Sequence, residues 1–174
     1  MVSPTFDPEF LDFLEERTVD HWEGVVWRQV IGSSDPLRPN QRGARWNPPG
    51  LEALYCSLAE DTASAEIDFL ISLQPVPIRK SRISVELEVN LTRVIDLRDA
   101  SGLDAFGIER ADFAGETHQV TRPIGRAVAW LGCAGLLVPS ARHPGSNLVI
   151  FTNEMDPSDG IEVLSKREIG VQTG

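Results

Sequence analysis

Strictly alternating hydrophobicity over residues 82–90 is the feature that most constrains the fold of this chain. In the segment RISVELEVN the apolar side chains fall at every second position: Ile83, Val85, Leu87 and Val89. Successive side chains of a strand point to opposite faces, so this period predicts a strand with one buried face. Such a strand is not stable alone, because its edges and its apolar face need neighbours. The chain must therefore build a β-sheet.

Further segments rich in β-branched and aromatic residues supply those neighbours. Strands are predicted at residues 24–31, 53–57, 94–97, 135–139, 147–152 and 161–164. Helices are predicted from Asp7-Pro8 to about Arg17, and over 61–73 with Asp61 as N-cap. A helical pattern over 119–131 is interrupted by Pro123 and Gly125. Because short strands outnumber helices, we expect an α+β fold.

Length and charge narrow the class of protein. The 174 residues suit one domain, and the balance of 16 Lys and Arg against 26 Asp and Glu gives a net charge of −10. This charge disfavours direct nucleic-acid binding, which needs a basic surface. No apolar run reaches the roughly 18–20 residues that span a bilayer, so membrane association is not expected.

The beginning of the chain and its cysteines point to a compartment. The first residues lack the basic and apolar regions of a secretory signal. Cys56 and Cys133 lie among apolar or small residues, far from any metal-binding spacing, so we expect two buried free thiols in a reducing environment. A cytoplasmic location is therefore predicted.

Candidate anion-binding residues lie in the first half of the chain. Arg28 stands within an apolar strand, where a charge is costly unless it is paired or faces a cleft or solvent. Arg45 and Trp46 belong to the polar, proline-rich loop of residues 32–50. A guanidinium there could bind a pyrophosphate in a fork, and the indole could stack on a ring; a core tryptophan is the alternative.

Four more polar residues are candidates for the same site. Tyr55 is the single tyrosine and could equally be a core residue, and Glu66 lies on a helix face of small residues, where an exposed position is the alternative. Ser140 and Asn147 bound a polar turn between two apolar strands, where they could face a cleft or simply form a loop. The three histidines are scattered without metal-ligand spacing, so we expect no metal site.

Five blocks of sequence resemble one known family. They are WR at 27–28, GARWNPPG at 43–50, LYCSLAEDTASAE at 54–66, GRAVAWL at 125–131 and LLVPSARHPGSNLVIF at 136–151. In order and spacing they resemble the RES domain, over about residues 25–152. Cys56 and Ser57 depart from the small or apolar residues frequent there. The resemblance places the characteristic residues of the family on Arg28, Arg45, Tyr55, Glu66 and Ser140.

The resemblance implies an activity and a fold. RES proteins are toxins of type II toxin-antitoxin modules that cleave the nicotinamide-ribose bond of NAD+, a substrate rather than a bound cofactor. Their fold is similar to that of ADP-ribosyltransferases, with short, mostly antiparallel strands in two sheets and flanking helices. A helical extension over residues 1–24 and an NAD+-binding catalytic domain over 25–174 are expected, together with a cognate Xre-like antitoxin as partner.

The resemblance also implies roles for the residues. Arg28, Glu66 and Ser140 are expected to be catalytic, with Glu66 stabilising the positive charge that develops on the ribose. Arg45, Trp46, Tyr55 and Asn147 are expected to bind substrate, Tyr55 by stacking on the nicotinamide. Hydrolysis and phosphorolysis both remain open, as do ADP-ribosylation of a protein, an inactive binding module, and an unrelated α+β domain.

Overall fold

The alternating segment becomes the longest strand of the protein. In the computed structural model, which describes residues 4–171, the strands are β1 Thr18–Ile31, β2 Leu54–Ser57, β3 Ser81–Asp96, β4 Gly135–Pro139, β5 Ser146–Ile150 and β6 Gly160–Val171. The α-helices are α1 Pro8–Glu15, α2 Glu60–Ser72 and α3 Thr121–Trp130. Short 3-10 turns lie at Leu103–Phe106, Arg110–Phe113 and Thr152–Glu154. The expected α+β class is confirmed.

Five of the strands form a closed ring. They follow the order β1-β2-β5-β4-β3, and β1 pairs with β3 as well, from Thr18 against Ile95 to Ile31 against Arg82. β6 adds to the other edge of β3. The pairings are antiparallel except that of β3 with β4, which is parallel. The expectation of mostly antiparallel strands is confirmed, and the expectation of two sheets is wrong because β1–β3 pairing closes one sheet into a barrel.

Strand β3 joins two segments that the sequence separates. The predicted strands at 82–90 and 94–97 are one strand of 16 residues. Arg93 has a positive φ of 53°, and the pairing of β3 with β1 skips this residue. Before Arg93 the odd-numbered apolar residues, such as Leu91, face the barrel interior, whereas after it Val94 does. This inversion of faces explains why the alternation breaks in the sequence.

Two hydrophobic cores lie on opposite faces of the strands. One draws on all five strands of the ring, including Val26, Leu54 and Leu148, and fills the barrel. The other lies between the outer face and helices α1 and α3, and includes Leu14 and Ile124. Strand β4 is buried on both faces, as expected for a short, continuously apolar strand.

The N-terminal helix belongs to the outer core. Asp7 caps α1 by accepting a hydrogen bond from the Glu9 amide at 3.0 Å, as its sequence predicts. Phe10 and Phe13 of α1 pack edge-on against Phe106. The predicted division between residues 24 and 25 falls inside β1.

Helix α2 begins slightly earlier than the sequence indicates. The N-cap position is Ala59, without a side-chain cap, and Asp61 lies in the first turn. The prediction of Asp61 as N-cap is therefore wrong, although an acidic residue there still suits the helix dipole.

Both cysteines are free and buried, as expected. Burial raises the pKa of the Cys56 thiol to about 12.

Over residues 4–171, the helices are too short or too polar for any of them to cross a bilayer.

Helix α3 runs without a break through Pro123 and Gly125. Pro123 lies in the first turn, where a missing amide proton is tolerated. Gly125 faces the backbone of Trp46 so closely that a Cβ atom would overlap the Trp46 carbonyl oxygen. The glycine therefore serves close packing of α3 against the loop, and the predicted interruption of the helix is wrong.

Replacing Gly125 by alanine tests this packing. Because the added methyl overlaps a backbone oxygen, Gly125→Ala should destabilise the fold by roughly 3 kcal/mol or more, at the upper end for overpacked sites. Urea unfolding measures the change. Gly160→Ala is the control, since nothing lies within 4 Å of a Cβ there. Equal stability of the two variants would contradict the packing argument.

Candidate active site

A cavity of about 480 Å³ opens where β1, β2, α2, the loop of residues 40–46 and the β4–β5 hairpin meet. This volume suits a small-molecule site. The structure brings six of the seven predicted site residues to its wall: Arg28, Arg45, Trp46, Tyr55, Glu66 and Asn147. The seventh, Ser140, is bonded to the wall residue Glu66 through its hydroxyl. These residues are spread between positions 28 and 147 of the sequence, and the fold brings them together.

Glu66 is held by two donors. Helix α2 carries it towards the β4–β5 hairpin, where the Ser140 hydroxyl donates to Oε1 at 2.5 Å and the Asn147 side-chain NH2 donates to the same oxygen at 2.7 Å. Ser140 directly follows β4 and Asn147 lies near the start of β5, so residues on either side of one hairpin turn hold the carboxylate. Glu66 is thus a fixed acceptor at the cavity rather than an exposed helix residue.

Arg28 enters the cavity from β1. Its guanidinium donates to the Tyr55 carbonyl at 2.8 Å, while its Nε is buried without a hydrogen-bond partner among residues 4–171. Burial lowers the pKa of this guanidinium, although Cys56 and Asp35 oppose that shift. A buried donor without a partner is costly, and an anionic ligand would offset that cost.

Arg45 is fixed on the opposite loop. Its NH1 donates to the carbonyl oxygens of Phe113 at 2.8 Å and Gly115 at 2.7 Å. Burial lowers the pKa of Arg45, and the positive charge of Arg142 lowers it further, whereas Glu66 acts in the opposite direction. Arg45 therefore lies within electrostatic range of a second arginine and of the carboxylate.

Tyr55 holds the loop that carries Arg45. Its hydroxyl donates to Asn47 Oδ1 at 2.6 Å and accepts from the Trp46 amide at 3.0 Å. Burial raises the pKa of the phenol, so the group stays protonated and continues to donate. Tyr55 therefore lines the cavity and also holds the loop at Trp46 and Asn47, a structural role that the sequence does not reveal.

Trp46 is a core residue. Its side chain is 2% exposed and packs edge-on against Phe113 at 5.0 Å between ring centroids. The expectation that its indole stacks on a ligand ring is therefore replaced by the alternative, a core tryptophan, because almost none of its surface is free.

Three of the cavity residues that were not among the sequence candidates contribute notable polar or charged contacts. Arg142 stacks over Phe69, with its guanidinium carbon 3.5 Å from the ring centroid. His118 has a lowered pKa through burial and through nearby Arg45 and other arginines, and its Nδ1 is buried without a hydrogen-bond partner in the described chain. Ser57 donates to Asn147 Oδ1 at 2.8 Å. The sequence signal for Arg142 was its place in the polar turn 140–147; His118 and Ser57 carry no such signal.

The cavity is electropositive within an acidic protein. Among the described residues, three arginines and one carboxylate line it: Arg28, Arg45, Arg142 and Glu66. The whole chain carries a net charge of −10. Arginine stays charged in proteins, so this concentration of positive charge suits a ligand with more than one negative group. In the described part of the chain, no group of three or more His, Cys, Asp or Glu side chains is placed to hold a metal ion.

Known proteins share this sequence and fold. The profile of the RES domain matches residues 21–169. Proteins named NAD(+) phosphorylase MbcT, from Mycobacterium bovis and Mycobacterium tuberculosis, are 24% identical over 164 residues, which cover 90% of this chain and 88% of theirs. A crystal structure of the M. tuberculosis MbcT-MbcA toxin-antitoxin complex contains a chain with the same fold: the TM-score is 0.79 at 20% identity, over 94% of this chain and 93% of that one.

Removal of the Tyr55 hydroxyl tests its structural contact. Tyr55→Phe leaves the Trp46 amide without its acceptor and Asn47 Oδ1 without its donor, although the Asn47 NH2 group keeps its bond to the Leu51 carbonyl. The free energy of unfolding should therefore fall by about 1–3 kcal/mol. Urea unfolding gives the change. Ser34→Ala removes an exposed hydroxyl that donates to the Ile31 carbonyl, and should leave stability nearly unchanged. A Tyr55→Phe protein as stable as wild type would show that the hydroxyl does not hold the loop.

Proposed function

The chain belongs to the RES domain family, and from that premise we propose that it is the toxin of a toxin-antitoxin pair that cleaves the nicotinamide-ribose bond of NAD+. One observation carries the proposal: a carboxylate fixed by two donors shares a cavity with three arginines. NAD+ has a pyrophosphate for the arginines and a cationic nicotinamide ribose for the carboxylate. The names of the relatives, NAD(+) phosphorylase, support the same reaction.

The chemistry of the bond explains the residues required. As the bond between C1′ of the ribose and the ring nitrogen breaks, both electrons leave with nicotinamide, which becomes neutral, and positive charge develops on the ribose. Glu66 stabilises that charge and is already oriented by Ser140 and Asn147, so little reorganisation is needed. Ser140 therefore acts through Glu66 in this arrangement.

The arginines fix the other half of the substrate. Arg28 offers a buried Nε–H group, and Arg45 has one nitrogen bound to two carbonyl oxygens, which orients the rest of its guanidinium. Forked donors of this kind bind phosphate oxygens in a geometry that lysine does not reproduce. Arg142 extends this basic wall. Holding the pyrophosphate places the nicotinamide ribose beside Glu66 for the whole reaction.

We favour inorganic phosphate as the acceptor. An oxygen of phosphate forms the new bond to the same C1′ carbon, which is C1″ in the numbering of ADP-ribose, giving ADP-ribose 1″-phosphate and nicotinamide. The phosphorylase name of the relatives favours this acceptor over water. Transfer of ADP-ribose to a protein is the second candidate reaction. A fold similar to that of ADP-ribosyltransferases, which the family resemblance implies, would agree with this second candidate.

The biological role follows from the reaction. An enzyme that consumes NAD+ in the cytoplasm depletes the cell of NAD+ and arrests growth. The cell therefore requires a protein partner that blocks the enzyme. The toxin-antitoxin complex of the structural neighbour supports a partner of this kind, and we propose an Xre-like antitoxin. The acidic surface suits a partner with complementary basic groups.

Product analysis tests the reaction and its acceptor. The purified protein is incubated with NAD+ in the presence and absence of inorganic phosphate, and with a cell lysate, and the products are resolved by mass spectrometry. We expect nicotinamide and ADP-ribose 1″-phosphate, formed only when phosphate is present. ADP-ribose would identify water as the acceptor, and modified lysate protein would favour the transferase. No loss of NAD+ under any condition would overturn the proposal.

Glu66→Gln tests the central carboxylate. The substitution keeps the size of the side chain but removes its charge, so kcat should fall by at least about 100-fold, while KM for NAD+ changes little. Release of nicotinamide measures both constants. Glu60→Gln is the matched control, because Glu60 lies on the same helix and accepts a serine hydroxyl bond at 2.7 Å but does not line the cavity. Near-normal kcat in a folded Glu66→Gln protein would exclude Glu66 from the chemistry.

A further inference from the structure

We propose that Ser57 is a positioning residue of the site, which holds the Asn147 amide so that its NH2 group clamps Glu66 Oε1 and Oε2 is left to face the substrate. The inference rests on the proposed function and deepens it, because it states which oxygen of the carboxylate works and what fixes it. The evidence is a directional chain of hydrogen bonds from Ser57 through Asn147 to Glu66.

The first link lies between neighbouring strands. Ser57 ends β2 and is paired directly opposite Asn147 of β5, so the two side chains share one face. Ser57 is 3% exposed, and its hydroxyl donates to Asn147 Oδ1 at 2.8 Å. Among residues 4–171 this is the hydrogen bond that Oδ1 accepts. The burial of Ser57 means that water does not readily replace it as a donor.

The second link, from Asn147 to Glu66, requires the amide orientation that the bond from Ser57 provides. A carboxylate only accepts hydrogen bonds, so Asn147 must present its NH2 group, not its oxygen, to Glu66. When it does so, Oδ1 necessarily points the other way and needs a donor there. Ser57 is that donor. The reversed amide would place a carbonyl oxygen against the carboxylate, which is repulsive.

The two oxygens of the Glu66 carboxylate therefore differ in their hydrogen bonding. Oε1 accepts from both Ser140 and Asn147, and Oε2 accepts no hydrogen bond from the residues that the structure describes. Two bonds from residues on either side of one hairpin turn restrict rotation of the carboxylate about its last torsion. Oε2 is therefore the oxygen that stabilises the positive charge on the ribose, and its direction depends on the Asn147 amide.

Three substitutions of Ser57 separate positioning from simple filling of space. Ser57→Ala removes the hydroxyl, Ser57→Cys keeps similar volume with a much weaker donor, and Ser57→Thr keeps the hydroxyl. Ser84→Ala is the matched control: like Ser57, Ser84 is a buried strand serine, 5% exposed, with a donating hydroxyl. Its acceptor is Glu60 of α2, at 2.7 Å, and neither Ser84 nor Glu60 lines the cavity. Urea unfolding of every variant identifies any that fold poorly.

The expected result is a loss in kcat alone. Because a hydrogen bond of ordinary strength is lost, kcat for nicotinamide release should fall about 5- to 10-fold in Ser57→Ala and Ser57→Cys, with KM for NAD+ unchanged. Ser57→Thr should stay within about twofold of wild type, because it restores the donor. Ser84→Ala should match wild type. Wild-type kcat in Ser57→Ala, or an equal loss in Ser84→Ala, overturns the inference.

A second readout does not depend on NAD+. Solvent exchange of the Asn147 side-chain NH2 protons, measured by NMR on the ligand-free protein, should accelerate several-fold in Ser57→Ala and not in Ser57→Thr or Ser84→Ala. Unchanged exchange in Ser57→Ala overturns the inference even if kcat falls. If the wild-type protein does not cleave NAD+, the proposed function fails, and the exchange rates alone decide whether Ser57 orients Asn147.

Discussion

The pairing of β1 with β3 is the constraint on which the rest of the structure depends. Strands of 14 and 16 residues run antiparallel along almost their whole length, and this contact joins the two ends of the strand order β1-β2-β5-β4-β3. Closure gives the apolar side chains of all five strands a common interior. On its other edge β1 pairs with β2, through Trp27 against Ser57, and this contact lies at the cavity.

Because the inner face of the closed sheet fills the barrel, its outer face is available to pack against the helices and the loop that carries Arg45. Helix α3 packs there against the loop that carries Arg45, close enough that only a glycine fits at position 125. Tyr55 secures the same loop from the strand side. The loop that carries Arg45 is therefore held by α3 and by Tyr55, and the Arg45 guanidinium is held by the carbonyl oxygens of Phe113 and Gly115. In this way a proline-rich loop forms a fixed wall of the cavity. Pre-organisation of this kind lets an arginine bind an anion without first being ordered.

The sequence predicts local structure well where local chemistry decides it. The Asp7 cap of α1 and the alternating part of β3 appear as expected, because capping and side-chain period act within a few residues. The segment 18–23 is polar, and its sequence does not predict a strand; it is one because β3 pairs with it. The polar second half of β6 is a strand for the same reason. Gly125 interrupts a pattern but not the helix, because tertiary contact with Trp46 requires it.

The candidate site likewise combines residues that the sequence predicts with residues that only the tertiary structure reveals. The sequence alone determined that the chain is one α+β unit of acidic composition with free buried cysteines, and the ordered blocks around Arg28, Arg45, Tyr55, Glu66 and Ser140 identified its family. Only the tertiary structure decided that Trp46 belongs to the core, that Arg142 and His118 join the cavity, and that Ser57 orients Asn147. The physical reason is distance along the chain: Ser57 and Asn147 become hydrogen-bonded neighbours only when β2 and β5 pair, and no pattern within either segment records that pairing.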